Sequence, residues 1–387
     1  MMRRRQFIQL PIAIGGAAFL SACGSSGEIA PITKQADLDA LASSFVANTG
    51  IPGIVISLLN TKSQIVSAAG IRRVGKTDKI QISDTFHIGS NAKSMLAMLV
   101  MRSVELGELS LDVPIYNLLP KLKQSGLSAY SNVTIDQLLS HKAGLVELLV
   151  TSEIDEVLPV FEGSAVQQRQ KALEFLLARE PIAPAGTAFV YSNAGYAVVA
   201  AVLEARTGLS FEQLLEQRLF KPLGITGSFG WPGQTSPNAV YGHLFDQSTF
   251  IPLEPDDARA AFRPAITPAG NVSMSMLSYS TYLRAHLSAL RSEASTALTI
   301  ASYQRLHRPP IDSVRDAPFS YALGWVTDGK DNSGDQADWH YGSTDIFGCY
   351  AVLQPSKNRA VAIAVNGEKP PFDDALRSLA YQAIALL

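Results

Sequence analysis

The chain has 387 residues, of which 47% are hydrophobic and 17% are charged, so it has enough apolar material for a large core and lacks the composition of a disordered protein. Lysine and arginine together number 32 against 34 acidic residues, for a net charge of −2, and no basic cluster follows the N-terminus. These features argue against a nucleic-acid-binding protein.

The first residues have the features of an export signal. Arginines at positions 3–5 precede an apolar stretch from residue 7 to residue 20, which is too short and too interrupted to predict a membrane span. Residues 4–8 resemble a twin-arginine export motif, so this route is one option for export. We therefore predict that residues 1–22 are a signal peptide.

The two cysteines have different predicted roles. Residues 20–23 resemble the bacterial lipobox, in which the cysteine becomes the lipidated first residue, so we expect Cys23 to carry the lipid. The alternative is ordinary signal-peptide cleavage near Cys23. Residues 23–35 would then be a tether, and the protein would lie at the bacterial cell envelope, lipid-anchored and facing the periplasm. Cys349 lies in a strand-like segment and is interpreted as a buried apolar residue rather than a nucleophile.

The elements that follow the tether combine helices with a strand pair. Apolar residues over 38–45 recur at helical spacing and predict a first helix. Residues 53–59 and 64–69 are apolar and flank a polar turn, which predicts a β-hairpin. The unbroken apolar run at 95–101 predicts a buried helix.

Helical periodicity dominates the middle of the chain. We predict helices at 135–140, 170–179, 197–206, 211–219 and 277–290. Prolines separate these segments, as expected for residues that interrupt helices. The chain shows no internal repeat and no coiled-coil heptad.

The C-terminal segment predicts a second hairpin and a closing helix. Residues 349–353 and 360–365 are strand-like and flank a tight turn, and residues 376–384 carry apolar side chains at helical spacing. Strand pairs joined by tight turns favour an antiparallel sheet over a doubly wound parallel one.

The pattern as a whole predicts an α/β (α+β) protein in which both chain ends build one sheet. Residues 36–114 and 291–387 are expected to form the α/β sheet domain. Residues 115–290 are expected to form a mainly helical domain inserted between them. The groove between two such lobes is the default place for a ligand.

Ser90 and Lys93 form the only Ser-x-x-Lys in the chain, directly before the predicted buried helix. Residues i and i+3 share a helix face, so the Lys93 amine is expected to reach the Ser90 hydroxyl. A buried lysine that is partly neutral takes up the proton and activates the serine. The alternative is a chance tetrapeptide with a solvated lysine.

A second stretch places Tyr191 and Asn193 two residues apart. In an extended loop both side chains would point the same way, so the phenol would shuttle a proton while the carboxamide donates to a substrate carbonyl and to Lys93. Tyr130 begins a stretch with the same three letters, but it precedes the helix expected near Thr134 and lacks the following Gly-Tyr. Tyr191 is therefore preferred over Tyr130.

A third stretch contains His340, Gly342 and Ser343 just before the second hairpin. A strand here would line the groove, with Gly342 allowing a substrate close to the backbone. The Ser343 N–H would pair with the Ser90 N–H as an oxyanion hole. His340 would offer a donor whose charge varies near neutral pH. The alternative is a strand glycine and a surface histidine.

Taken in order, the three stretches resemble the serine β-lactamase and penicillin-binding-protein superfamily, in its class C-like branch with related esterases and D-aminopeptidases. The resemblance covers residues 36–387 and includes weaker stretches at 138–145, 268–270 and 322–325. It implies a β-lactamase/transpeptidase-like fold, with an antiparallel sheet flanked by helices plus a mainly helical domain.

The resemblance also implies roles for individual residues. It makes Ser90 the acylated nucleophile, Lys93 its base and Tyr191 the group that protonates the leaving group. It places Asn193, with His340 and Gly342, at the substrate, and it places the Ser90 and Ser343 amides at the oxyanion.

His340 departs from the pattern of the β-lactamases and carboxypeptidases of this branch, which carry a lysine there that binds a substrate carboxylate. A largely neutral imidazole holds a carboxylate less well, and His-x-Gly instead resembles the esterases, D-aminopeptidases and amidases. The expected function is therefore an exported serine hydrolase that acts on small carboxylic esters, amides or D-amino-acid peptides. Two alternatives stay open: a β-lactamase or DD-carboxypeptidase, and a non-catalytic binding lipoprotein with a relic site.

The other histidines have no metal-ligand spacing, so we predict no metal and no cofactor. His141 is interpreted as structural, capping or packing a turn. The expected partners are a small ester, amide or peptide substrate and a membrane reached through the lipid anchor, without nucleic acid. The sequence specifies neither the substrate nor the oligomeric state.

Overall fold

The computed structural model describes residues 34–149, 151–234, 236–254, 256–257, 262–310, 319–330, 334–371 and 373–387. The predicted signal peptide, Cys23 and nearly all of the predicted tether lie outside the described residues. Within the described ranges, no helix is long and apolar enough to span a membrane.

One antiparallel sheet dominates the strands of the structure. The strands are β1 (Gly53–Leu59), β2 (Gln64–Gly70), β3 (Thr85–His87), β4 (His243–Asp246), β5 (Thr249–Pro252), β6 (Ser273–Ser275), β7 (Ser320–Tyr321), β8 (Val326–Lys330), β9 (Gln336–Ser343), β10 (Gly348–Gln354) and β11 (Arg359–Val365). Seven of them form the sheet in the order β2-β1-β11-β10-β9-β8-β7, with antiparallel neighbours throughout. Both predicted hairpins and the predicted antiparallel sheet are confirmed.

Most of the predicted helices are present with shifted ends. The helices are α1 (Gln35–Thr49), α2 (Ala92–Glu105), α3 (Ile115–Leu118), α4 (Leu122–Ser125), α5 (Ile135–Leu139), α6 (Thr151–Val157), α7 (Ala165–Leu177), α8 (Asn193–Thr207), α9 (Phe211–Leu215), α10 (Lys221–Leu223), α11 (Met276–Leu290), α12 (Ile300–Leu306) and α13 (Asp374–Ile384). α7 starts upstream of the predicted residue 170 because Ser164 and Gln167 form a capping box. The predicted helix at 211–219 is a succession of α9 and a π-helical turn, Glu216–Phe220.

The sheet is covered on both faces, as the alternation of side chains along β1 requires. Ile54, Ile56 and Leu58 pack with α1 and α13 on one face. Val55 and Leu59 belong to the larger core on the other face, together with α2 and α11. Strands apolar on both faces therefore lie between two helical layers.

Helix α2 is buried along most of its length and contacts α8, α9 and α12. A helix that is apolar all round belongs in the interior rather than at the surface. The first turn of α2 therefore places its side chains inside the protein. The described residues form one compact unit, and its division into a sheet domain and a helical domain remains a prediction.

Candidate active site

Ser90 and Lys93 lie at the start of α2. The turn Gly89–Asn91 is a 3-10 helix that runs directly into α2. The Lys93 Nζ lies 2.9 Å from the Ser90 Oγ, the one-turn geometry expected for this spacing. Ser90 is partly exposed, whereas Lys93 is fully buried. The hydroxyl is therefore accessible from solvent, while the amine is buried behind it.

The surroundings of Lys93 favour its neutral form. The Nζ donates to the Ala269 carbonyl at 2.7 Å. Burial holds the pKa of Lys93 well below its usual range, because removal from water penalises the charged amine. A neutral amine that donates to Ala269 has its lone pair available for the Ser90 proton.

Tyr191 completes a group of three at this point. Its ring centroid lies 4.9 Å from the Lys93 Nζ. Burial raises the pKa of Tyr191 well above its usual range, and a hydrogen bond with Ser90 offsets part of that rise. The phenol therefore keeps its proton and is able to donate it. The structure thus brings Ser90, Lys93 and Tyr191 together.

His141 forms hydrogen bonds with the residues on both sides of Tyr191. The His141 carbonyl accepts the Val190 N–H at 2.8 Å, and its Nδ1 accepts the Ser192 N–H at 3.0 Å. The two rings are in contact, with centroids 4.2 Å apart and a tilt of 34° between their planes. Burial keeps the pKa of His141 well below its usual range, and the nearby basic groups Lys93 and His340 lower it further. This neutral histidine positions the phenol, in agreement with the structural role predicted for it.

Asn193 differs from the prediction. It is the first residue of α8 rather than part of an extended loop, because Ser192 is the N-cap and its Oγ accepts the Gly195 N–H. The Asn193 Nδ2 donates to the Leu148 carbonyl at 2.7 Å. The Lys93 Nζ contacts Ser90 and Ala269 instead, so the predicted donation from Asn193 to Lys93 is wrong.

Tyr130 lies in a separate environment. It ends the 3-10 turn Ser128–Tyr130 and is buried. Burial, with the nearby Tyr116 and Glu180, raises the pKa of Tyr130 to about 12. Ser90 and Lys93 are absent from its surroundings, so the two tyrosines form a matched pair for mutagenesis.

We expect Tyr191→Phe to lower kcat/KM for an ester substrate by about 100-fold to about 10,000-fold, because the leaving group loses its proton donor. Tyr130→Phe removes the same hydroxyl from a buried tyrosine elsewhere and should leave kcat/KM within about twofold. Steady-state assays on the two variants check this. Equal losses in both would contradict the role assigned to Tyr191.

The predicted oxyanion donors lie on two backbone segments that approach each other closely. A Cβ built on Gly342 would lie 2.1 Å from the Ile88 carbonyl oxygen and 2.8 Å from the Ser90 nitrogen. A Cβ on Gly89 would lie 3.0 Å from the Ser343 nitrogen, and Gly89 also has a positive φ of 54°. Only glycine permits this approach, which brings the Ser90 and Ser343 amides to one place.

His340 also differs from the prediction. It lies on β9, is only 3% exposed, and burial lowers its pKa to about 3. Its Nδ1 lies 3.0 Å from the Tyr341 carbonyl, which only accepts, so Nδ1 carries the proton. Its Nε2 therefore accepts from the Tyr321 phenol at 2.9 Å. His340 is therefore neutral, and both of its ring nitrogens form hydrogen bonds. The prediction that it offers a donor whose charge varies near neutral pH is wrong.

The sequence did not predict two neighbours of the candidate site. Tyr321 directly precedes the stretch 322–325 and engages His340, as described above. His87 fixes the turn before Ser90: its Nδ1 accepts the Gly89 N–H at 3.1 Å and its Nε2–H donates to Asn271 at 3.1 Å. Burial lowers the pKa of His87 to about 4. The position of His87 just before the Ser-x-x-Lys was the available signal.

The structure offers no obvious metal ligands in the part of the chain it describes. No group of three or more histidine, cysteine, aspartate or glutamate side chains there is arranged to hold a metal ion. Cys349 is buried on β10, and burial raises the pKa of its thiol well above the usual range.

A seven-stranded antiparallel sheet with helices on both faces, and a Ser-Lys-Tyr group at the start of a buried helix, define a protein of the β-lactamase/transpeptidase fold, a fold typical of serine hydrolases. The chain belongs to the Beta-lactamase family, whose family model matches residues 38–386. The predicted family and fold are both confirmed.

Several proteins have sequences similar to this chain. Penicillin-binding protein 4 of Amycolatopsis lactamdurans is 26% identical over 336 residues, which is 85% of each chain. The unguisins hydrolase ungD of Aspergillus violaceofuscus is 25% identical over 82% of this chain, and protein flp of Staphylococcus aureus is 23% identical over 86% of it. The chain spans only 58% and 63% of the length of these last two relatives.

Solved structures show the same fold. The octameric penicillin-binding-protein homologue from Pyrococcus abyssi superposes with a TM-score of 0.73 at 23% identity, over 91% of this chain and 76% of that one. A class C β-lactamase superposes with a TM-score of 0.73 at 18% identity, over 92% and 96% of the two chains. At these identities the likeness is one of fold.

Proposed function

We propose that this protein is a serine hydrolase that forms an acyl-enzyme at Ser90 and acts on small carboxylic esters, amides or D-amino-acid peptides. The observation that carries the proposal is the 2.9 Å contact between the Ser90 Oγ and a fully buried Lys93 Nζ. A partly exposed serine beside a buried amine and a protonated phenol has a nucleophile, a base and an acid in one place.

In the proposed acylation, the Ser90 hydroxyl gives its proton to the Lys93 amine while its Oγ bonds to the substrate carbonyl carbon. The carbonyl π electrons move to oxygen, and the Ser90 and Ser343 N–H groups donate to that oxyanion. When the C=O bond re-forms, the bond to the leaving group breaks. The leaving group takes the Tyr191 proton, and the proton held by Lys93 then passes to the Tyr191 oxygen.

In the proposed deacylation, water takes the place of the leaving group. The Tyr191 and Lys93 pair accepts a proton from water as its oxygen bonds to the acyl carbon. The bond between the acyl carbon and the Ser90 Oγ then breaks, and the pair returns a proton to Ser90. A carboxylic acid leaves and the starting protonation state is restored.

The substrate preference rests on His340. A neutral imidazole with both nitrogens engaged offers neither a positive charge nor a free donor to a substrate carboxylate. Esters and amides that are neutral at this position are therefore favoured over penicillins. Penicillin-binding protein 4 is among the relatives, so a β-lactam or cell-wall peptide is the second candidate substrate.

Covalent labelling tests the proposal. We expect a serine-directed phosphonate to add one adduct at Ser90, found by intact mass and peptide mapping, and short p-nitrophenyl esters to be hydrolysed. Ser90→Ala should lose both. Wild-type protein without an adduct, or undiminished turnover in Ser90→Ala, would overturn the proposal. A penicillin adduct with slow ester turnover would favour the second candidate.

A further inference from the structure

Glu368 is a buried carboxyl group behind the strand that carries Ser343. The residue is only 2% exposed. It accepts from the Ser343 Oγ at 2.7 Å and from the Tyr341 phenol, both on β9. A Cβ built on Gly348, at the start of β10, would lie 2.5 Å from the Glu368 Oε1. The carboxyl group is thus packed against both strands where β9 turns into β10.

These contacts connect Glu368 to the oxyanion site through one residue. The Ser343 Oγ that donates to Glu368 also accepts the Asp345 N–H at 3.3 Å, so the Ser343 side chain is fixed on two sides. The Ser343 amide, on the same residue, is the predicted second oxyanion donor. Glu368 itself has no hydrogen bond to Ser90 or Lys93, so its hydrogen-bonded link to the oxyanion site runs through Ser343.

The charges around Glu368 disfavour its ionised form. Among the residues that the structure describes, no lysine, arginine or histidine forms an ion pair with it, and the adjacent Lys369 donates to the Thr49 carbonyl. Asp345 on the turn adds negative charge, while Tyr341 and Ser343 on β9 stabilise the anion. Burial is the largest effect and raises the pKa of Glu368 to about 8.

Groups on the other neighbouring elements carry no compensating charge. Cys349 of β10 lies near enough to Glu368 to feel its charge, and burial keeps its thiol protonated. Asp373 adds negative charge near the Tyr341 phenol. His243 of β4 contacts the neighbouring Asn366 carbonyl at 2.6 Å, and burial keeps it neutral by lowering its pKa to about 4.

We propose that Glu368 is a positioning residue for the oxyanion site: its protonated form fixes Ser343, and its ionisation places a negative charge behind the Ser343 amide that slows acylation. When Glu368 is protonated, its own O–H is the donor in one of the two contacts with Tyr341 and Ser343. When it ionises, the new charge opposes the negative charge that develops on the substrate oxygen. This inference rests on the proposed function.

The pH dependence of Glu368→Gln tests the inference, because the amide keeps the shape of the side chain but does not ionise. We expect kcat/KM of the wild type for a neutral ester to fall on the order of tenfold between about pH 7 and about pH 10. This decrease, the alkaline limb of the pH profile, should be missing in Glu368→Gln. An unchanged alkaline limb in the variant, or an equal loss at every pH, would overturn the inference.

Asp345→Asn provides a second variant with the opposite expectation. Asparagine tolerates the positive φ of 65° at this position. Removing the Asp345 charge should lower the pKa of Glu368 and move the alkaline limb to lower pH. A limb that stays in place or moves to higher pH would contradict the inference, even if Glu368→Gln did not fold.

The failure of this inference and that of the proposed function are distinguishable. Absence of any turnover and any Ser90 adduct in the wild type overturns both together. Normal turnover with an alkaline limb that is the same in the wild type and both variants overturns the inference alone.

Discussion

Lys93→Met is expected to lower kcat/KM for ester substrates by about 10,000-fold, because the Tyr191 phenol, which also contacts Ser90, keeps its own proton and does not replace the amine as the base. Methionine fills a similar volume in this buried site but has no lone pair basic enough to replace the amine. Burst kinetics should show that acylation itself is lost.

The same substitution should not destabilise the protein at neutral pH. The pKa of Lys93 is lowered in the folded state, so between that pKa and the ordinary value of 10.5 the unfolded chain binds more protons. In this window the free energy of unfolding falls as pH falls, so the buried amine destabilises the folded protein at pH 7. Methionine removes that destabilisation, and urea unfolding should give a free energy at least equal to that of the wild type.

Activity of the wild type should follow the protonation of Lys93. As pH falls through the lowered pKa of Lys93, the amine gains a proton and no longer accepts the one on Ser90, so kcat/KM should fall on the acid side. Lys171→Met removes an exposed lysine of α7 and serves as the matched control. Retained turnover in Lys93→Met, with the control unchanged, would contradict the assignment of the base.

Local periodicity explains why much of the fold was predictable. The hairpin formed by β1 and β2, and the one formed by β10 and β11, each combine apolar strands with a polar turn. The contact between Ser90 and Lys93 follows from helix geometry alone. Each of these features depends on residues that are close in the sequence.

Two of the missed parts of the site depend on contacts between distant residues. His340 owes its protonation to burial and to Tyr321, neither of which is visible in a His-x-Gly stretch. Glu368 has an unremarkable sequence context, yet it contacts Ser343 across the sheet. Asn193 was placed in a loop because the capping role of Ser192 was not recognised. Burial and tertiary hydrogen bonds decide the first two cases, whereas the cap at Ser192 is a local contact with Gly195.

The sequence also did not predict a buried ion-pair cluster that joins three helices. Arg169 of α7 is fully buried and donates to Glu204 of α8 at 2.6 Å and to Glu212 of α9 at 2.9 Å. Its Nη1 also donates to the Pro264 carbonyl at 3.3 Å. The Glu204 carboxylate further accepts the Phe211 N–H at 2.8 Å, at the start of α9. The Arg169 guanidinium thus donates hydrogen bonds to acceptors on two other helices and to a backbone carbonyl.

Arg169→Met is expected to lower the free energy of unfolding by about 3–5 kcal/mol, because Glu204 is left as a buried carboxylate without its cation. Chemical denaturation at neutral pH measures this. Arg377→Met breaks the exposed pair with Asp374, whose side chains are 42% and 41% exposed, and should cost less than about 1 kcal/mol. Similar losses in both variants would contradict the importance of burial here.

A double-mutant cycle separates the two sources of the Arg169 effect. If the loss comes from an uncompensated charge, Glu204→Gln should recover much of it in the Arg169→Met background, since a neutral amide is cheaper to bury than a carboxylate. If the loss comes from the packing of α7 against α8, Glu204→Gln should recover none of it. Because Glu204 is 1% exposed in its side chain and also accepts from the backbone of α9, we expect the charge to dominate.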